Sequence, residues 1–156
     1  MTLPLEQSME GAKRMRVIFD LDGTLANAEH RVHHLTGEIK DHRAFYAACG
    51  EDDPVAPIMT VLVALWQAGA VIEIWTGRSE EVRAETVAWL IAQFDRLDHF
   101  LRMRPIGDHR PDTELKAQWL AECGFVPDLV FEDRASVVAM WRSQGIVCAQ
   151  VAPGNF

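Results

Sequence analysis

Short apolar runs alternate with amphipathic stretches along the chain, and this alternation predicts the fold. Five runs have the length and composition of buried strands: RVIF (16–19), VIEIW (71–75), FLRM (100–103), DLVFED (128–133) and IVCAQV (146–151). The stretches between them predict helices at about 55–68, 79–93, 113–123 and 134–144. Right-handed crossovers then place helices on both faces of a mainly parallel sheet. The pattern therefore predicts an α/β, three-layer Rossmann-like domain with a five-stranded sheet.

Two segments depart from the alternation. Residues 1–14 are polar and aperiodic, which predicts a flexible N-terminal segment before a folded domain at 15–156. Residues 27–53 are rich in histidine and charge and have only modest helical periodicity. This segment therefore lies outside the regular alternation of strands and helices.

Composition and charge narrow the possible partners. The chain has 156 residues, 49% hydrophobic and 24% charged, a balance typical of one soluble globular domain. It has no apolar stretch that could span a bilayer and does not begin like a secretory signal, so a cytoplasmic protein without membrane contact is expected. The formal net charge of −8 argues against an extensive nucleic-acid-binding surface and favours a small substrate or a strand end.

Polar side chains follow three of the predicted strands: Asp20 and Asp22, Thr76 and Arg78, Glu132 and Asp133. Because the carboxyl ends of parallel strands meet at one edge of a sheet, these side chains are expected to lie together. Four carboxylates in one place repel one another unless a cation joins them. Hard oxygen ligands with incomplete protein coordination suit Mg²⁺.

Four motifs occur in a characteristic order: FDLDGTLA (19–26), WTGR (75–78), Lys116 and FEDR (131–134). Together they resemble the motifs of the haloacid dehalogenase superfamily of phosphotransferases, over residues 15–156. Residues 27–53 fall where this superfamily inserts its cap, so the resemblance implies a small helical cap insertion there. The acidic fourth motif and the DxD pair resemble the phosphatases of that superfamily, which implies a Mg²⁺-dependent phosphoric monoester hydrolase.

The resemblance implies a role for each residue. Asp20 would attack phosphorus and form an aspartyl-phosphate. Asp22 would act as general acid and base, while Thr76 would hydrogen-bond the phosphoryl group and Lys116 would offset negative charge.

The same resemblance implies a metal site. Mg²⁺ would be held by Asp20, the main-chain carbonyl of Asp22 and the Glu132/Asp133 pair. Which of these two acids ligates the metal directly stays open.

The tail SVVAMWRSQGIVCAQVAPGNF (136–156) is similar to the phosphatase domains of bacteriophage polynucleotide kinase-phosphatases, which remove 3′-phosphates from nucleic-acid ends and nucleotides. This resemblance implies substrate-binding roles for Arg31, Gly77, Arg78 and Asp112, with Asp112 also orienting Lys116 one helical turn away. The chain departs from these relatives at Glu132, where they carry Asp, and it contains no GxxxxGK[ST] kinase motif.

The expected substrate is a nucleic-acid 3′-end or a nucleoside 3′-phosphate, and a nucleic-acid repair or nucleotide-metabolic function follows. A 5′-nucleotidase is the alternative, because the residues of the cap and rim do not distinguish the two. A non-catalytic binding protein on the same fold is disfavoured because all the motif residues are present. The cap histidines are expected at the surface, with a zinc pair formed by His30 and His34 as the minor alternative.

Overall fold

A computed structural model describes residues 13–94 and 100–154. Its main sheet has five strands: β1 (Arg16–Phe19), β4 (Val71–Ser79), β5 (Leu101–Arg104), β6 (Leu129–Arg134) and β7 (Cys148–Gly154). The spatial order is β5-β4-β1-β6-β7, and every neighbouring pair is parallel. Four helices connect these strands: α2 (Ala56–Gln67), α3 (Arg83–Gln93), α4 (Asp112–Glu122) and α5 (Ala135–Ser143). The predicted fold class is confirmed.

The sheet is buried on both faces, as expected for parallel strands connected by helices. Along β1, Val17 and Phe19 point to one face and Ile18 to the other, because strand side chains alternate. One face packs against α2 and α3, which contribute Met59, Leu62, Trp89 and Leu90. The other packs against α4 and α5, which contribute Leu115, Trp119, Val137, Val138 and Trp141. The molecule is therefore a helix–sheet–helix sandwich with β1 at its centre.

Two strands run further than the sequence pattern predicts. Strand β4 continues through the TGR turn to Ser79, with a register shift against β5 between Thr76 and Ser79. Strand β7 begins at Cys148 and extends to Gly154, which pairs with Arg134. A Cβ at Gly154 would lie 2.7 Å from the Arg134 backbone, so glycine permits this extension. The predicted helix at 79–93 begins with a 3₁₀ turn, Glu80–Val82.

The cap leaves and rejoins the domain at one place. Strand β2 (Ala26–Asn27) pairs antiparallel with β3 (Asp53–Pro54), and these two short strands form its stalk. Between them lie a 3₁₀ helix (Glu29–Leu35), the single α-helix α1 (His42–Ala47) and a second 3₁₀ helix (Ala48–Glu51). Because 3₁₀ turns lack the 3.6-residue period, the sequence pattern of this segment is weak.

The predicted N-terminal segment lies mostly outside the described residues, which begin at Lys13. Arg14 is described, and its Nε donates to the Gly69 carbonyl at 2.8 Å, which ties the start of β1 to the end of α2. Within the described ranges, no helix combines the length and apolarity that crossing a membrane requires.

Candidate active site

Asp20 lies at the carboxyl end of β1, at the centre of the sheet, and only 6% of its surface is exposed. Lys116, on α4, donates from Nζ to Asp20 Oδ1 at 2.6 Å and to Glu132 Oε2 at 2.7 Å. Burial, followed by repulsion from Glu132, holds the pKa of Asp20 well above its ordinary value against the opposing attraction of Lys116. Burial disfavours the ammonium of Lys116, but Asp20 and Glu132 outweigh it and raise its pKa, so the lysine is charged.

Three buried acids meet at this point. Ligand oxygens of Asp20, Glu132 and Asp133 all lie within 4.8 Å of one another. Burial, with repulsion from Glu132, raises the pKa of Asp133 to about 7. A Cβ on Gly23 would lie 2.2 Å from Asp133 Oδ2, so only glycine lets the loop after β1 close over this carboxylate. The all-oxygen donor set and its excess negative charge fit Mg²⁺.

The carboxylate of Asp22 is held by two arginines. Its Oδ1 accepts from Arg31 Nη2 at 2.5 Å and from Arg78 Nε and Nη2 at 2.9 and 2.6 Å. Burial alone would raise the pKa of Asp22, but Arg78 and Arg31 together outweigh it and lower that pKa. Both guanidinium groups are completely buried, so the structure places the two predicted substrate-binding arginines against Asp22.

A second carboxylate, Asp52, completes this network and was missed by the sequence analysis. Its side chain, at the end of the cap, accepts from Arg31 Nε at 2.7 Å, from Arg31 Nη2 at 2.6 Å and from Arg78 Nη2 at 2.7 Å. His30 Nε2 contacts the same carboxylate at 2.7 Å. Two acids and two arginines form a buried cluster that joins the cap to β4 and to the loop after β1. In the sequence, Asp52 looks like any acid before a proline turn.

Replacing Asp52 by alanine is expected to destabilise the protein strongly, because two buried arginines would then share one carboxylate. Removing one member of a buried ion pair costs about 3–5 kcal/mol. Urea unfolding should show this loss for Asp52→Ala, whereas the exposed neighbour variant Glu51→Ala should change the free energy of unfolding by less than about 0.5 kcal/mol. Equal free energies of unfolding for Asp52→Ala and Glu51→Ala would contradict a stabilising role for the cluster.

Thr76 and Gly77 lie at the end of β4, beside Asp20. Thr76 is 1% exposed, and its Oγ1 accepts from the Arg78 amide at 3.2 Å. A Cβ on Gly77 would lie 2.6 Å from Asp112 Oδ1, so the first turn of α4 packs directly on the glycine. Asp112 Oδ1 accepts from Arg104 Nη2, and Asp112 Oδ2 accepts from Arg134 Nη1 at 3.1 Å. Its charge adds to the raised pKa of Lys116, but Asp20 and Glu132 are the acids that hydrogen-bond the lysine.

A cavity of about 610 Å³ opens over these residues. It is lined by Asp20, Asp22 and Thr76, by residues of the cap and by residues of the 105–111 loop. Of the cap histidines, His42 lines the cavity and His30 contacts Asp52. In the described part of the chain, no group of three metal-binding side chains includes His30 or His34. The volume is that of a small-ligand site.

Known proteins resemble this chain both in sequence and in fold. Residues 14–156 match the family described as the phosphatase domain of polynucleotide kinase PNKP. No curated protein matches the chain significantly. A chain of the Pnkp1/Rnl/Hen1 RNA repair complex is similar, with a TM-score of 0.74 and 28% identity over 97% of this chain and 48% of that chain.

A second structure of the Pnkp1/Rnl/Hen1 complex gives a TM-score of 0.73 and 28% identity over 97% of this chain and 52% of that chain. This chain therefore spans about half the length of those relatives. A haloacid dehalogenase-like hydrolase from Bacteroides fragilis shares the fold, with a TM-score of 0.65 and 16% identity over 92% of this chain and 90% of that chain. Because the family match extends over nearly the whole chain and the fold agrees with it, the chain belongs to the polynucleotide kinase PNKP phosphatase-domain family and is a phosphatase of the haloacid dehalogenase type.

Proposed function

We propose that the protein is a Mg²⁺-dependent phosphomonoesterase that works through an aspartyl-phosphate on Asp20 and removes 3′-phosphates from nucleic-acid ends or nucleotides. The observation that supports the proposal most directly is the placement of Asp20: it is buried and lines the cavity, with Lys116 Nζ at 2.6 Å from its Oδ1 and two further acids beside it. Mg²⁺ would be held by Asp20, the main-chain carbonyl of Asp22 and the Glu132/Asp133 pair. Its positive charge would offset the negative charge of the phosphate.

The proposed reaction has two steps. In the first, a carboxylate oxygen of Asp20 attacks phosphorus, the bond to the leaving oxygen breaks, and that oxygen takes a proton from Asp22. Because Arg78 and Arg31 lower the pKa of Asp22, this step requires its carboxyl group to turn away from the two arginines and take up a proton before the bond breaks. In the second, water attacks the same phosphorus, Asp22 takes its proton, and the bond to Asp20 breaks to release inorganic phosphate. Thr76 donates a hydrogen bond to the phosphoryl oxygens, and Lys116 offsets charge on Asp20 and on the group in transfer.

Three features support a nucleotide phosphate as the substrate. A cavity of about 610 Å³ lies within the range of small-molecule and cofactor sites. Four arginines are among the residues that line the cavity, in a protein whose formal net charge is −8: Arg43, Arg104, Arg110 and Arg134. The similar Pnkp1 chain belongs to an RNA repair complex, which favours a nucleic-acid end.

A 5′-nucleotidase remains the second candidate, because a net charge of −8 favours a mononucleotide over a long strand. A substrate panel with Mg²⁺ separates the two: oligonucleotides with a 3′-phosphate, 3′-mononucleotides, 5′-mononucleotides and sugar phosphates. We expect kcat/KM to be higher for 3′-phosphates than for 5′-phosphates by at least about tenfold, the equivalent of 1.4 kcal/mol. An Asp20→Asn preparation controls for contaminating phosphatases. Phosphate release from 5′-mononucleotides alone would contradict the proposed substrate.

A further inference from the structure

The main-chain carbonyl of Gly77 is held from two sides. Tyr46, on the cap helix α1, donates from its hydroxyl at 3.1 Å, and Arg104, at the end of β5, donates from Nε at 2.9 Å. The β4–β5 ladder shifts register between Thr76 and Ser79, so side chains from the cap and β5 satisfy this carbonyl. Burial raises the pKa of Tyr46, so its phenol keeps the proton that it donates.

The N–H of the same peptide group, which belongs to Arg78, contacts Thr76. The Gly77 carbonyl and the Arg78 amide belong to one planar unit, so fixing the carbonyl also fixes the direction of the N–H. That N–H donates to Thr76 Oγ1 at 3.2 Å. A hydroxyl has one hydrogen to donate, and when its oxygen accepts from the amide the hydrogen is directed elsewhere. Thr76 and Asp20 line the same cavity, so the hydroxyl can donate this hydrogen to a phosphoryl group bound there.

Arg104 is itself rigidly held. It is only 9% exposed, its Nη1 donates to the Arg110 carbonyl at 2.7 Å, and its Nη2 pairs with Asp112. It therefore joins the 105–111 loop, the first turn of α4 and the end of β4. Because the guanidinium has partners on three segments, its own position is restricted, and it restricts the position of the Gly77 carbonyl that accepts its hydrogen bond.

We propose that Tyr46 and Arg104 are positioning residues: they clamp the Gly77–Arg78 peptide and thereby aim the Thr76 hydroxyl at the phosphoryl group. Tyr46 also makes this alignment depend on the cap being in place. The inference rests on the proposed function, since it takes Thr76 as the phosphoryl donor. The competing interpretation is direct contact between Tyr46 and the substrate, because Tyr46 lines the cavity.

A double-mutant cycle separates these interpretations, because residues that act through a common partner give non-additive effects. Tyr46→Phe removes only the hydroxyl and is introduced into the wild type, into Thr76→Val and into Thr76→Ser, which keeps the hydroxyl. In the wild type and in Thr76→Ser, kcat should fall about 3–10-fold, the value of one hydrogen bond, with KM unchanged. In Thr76→Val the same change should alter kcat by less than twofold. The factor should be the same for p-nitrophenyl phosphate and for a 3′-phosphorylated oligonucleotide.

The clamp is contradicted if Tyr46→Phe has an equal effect in all three backgrounds, or if its effect appears in KM and depends on the substrate. Arg104→Lys and Arg104→Met extend the test: lysine should restore part of the kcat that methionine loses. Calorimetric titration with orthovanadate and Mg²⁺ gives a readout without turnover, and Tyr46→Phe should weaken vanadate binding only where Thr76 or Ser is present. Absence of hydrolysis with every phosphomonoester would contradict the proposed function instead, and the vanadate cycle would still decide for or against the clamp.

Discussion

Asp20→Asn is expected to abolish phosphate release and leave the protein folded. The amide is a poor nucleophile, and removing a covalent nucleophile lowers kcat by at least about 10³-fold. The fold should not suffer, because burial and Glu132 already hold the pKa of Asp20 well above its ordinary value. A neutral group of the same shape at this position relieves repulsion among the three acids. Steady-state rates with p-nitrophenyl phosphate and thermal unfolding by circular dichroism check the two halves of this prediction.

Asp128→Asn is a matched control for the same chemical change at a distance from the cavity. Asp128 is exposed and accepts from the Arg16 amide at 2.8 Å at the opposite end of the sheet. Its replacement should change kcat less than twofold. Turnover by Asp20→Asn at a rate near that of this control would exclude Asp20 as the nucleophile.

Removing Mg²⁺ is expected to lower both the rate of phosphate release and the stability of the protein. The site contains three buried acids, Asp20, Glu132 and Asp133, and one ammonium group, that of Lys116. Because negative charge is in excess only where the fold brings these acids together, a divalent cation should bind the folded state selectively. Binding at 100 times the Kd stabilises a protein by about 2.7 kcal/mol. For a chain of this size, that corresponds to a rise in Tm of about 5–10 °C. Chelation with EDTA should abolish phosphate release and reverse the rise in Tm.

Asp133→Asn tests whether this effect comes from the acidic group. The variant should lose most of the Mg²⁺-dependent rise in Tm, whereas Asp108→Asn, on the rim loop, should keep it. The same rise in both variants would place the stabilising cation elsewhere. Full activity in EDTA would contradict a metal-dependent reaction.

The sequence predicts that Asp20, Thr76, Lys116 and Asp133 lie close together, because local patterns determine where each of them lies. Asp20 follows β1, whereas Thr76 and Asp133 lie near the carboxyl ends of β4 and β6, and parallel strands bring these ends to one edge of the sheet. The 3.6-residue period of α4 is enough to predict that Lys116 lies on the helix face directed toward these residues. The sheet order β5-β4-β1-β6-β7 then places the strands carrying these residues side by side.

The cap contacts could not be predicted in the same way. Arg31 and Asp52 are joined by hydrogen bonds although they lie 21 positions apart, and the chain between them combines short 3₁₀ turns, one short α-helix and irregular structure, which gives no clear period. A resemblance can indicate that Arg31 matters, but it does not show which carboxylate its guanidinium satisfies. The hydrogen bond from Tyr46 to the Gly77 carbonyl is equally non-local, because its acceptor is a backbone atom exposed by a register shift.

The most direct test of the central claim is to trap the phosphoryl group on the protein. An oligonucleotide with a ³²P-labelled 3′-phosphate is mixed with the protein and Mg²⁺, quenched in acid during turnover, and the chain is digested. We expect label in the peptide that contains Asp20, released by hydroxylamine as expected for an acyl phosphate, and none in Asp20→Asn. Turnover without label on the protein, or with label on another residue, would contradict an aspartyl-phosphate on Asp20.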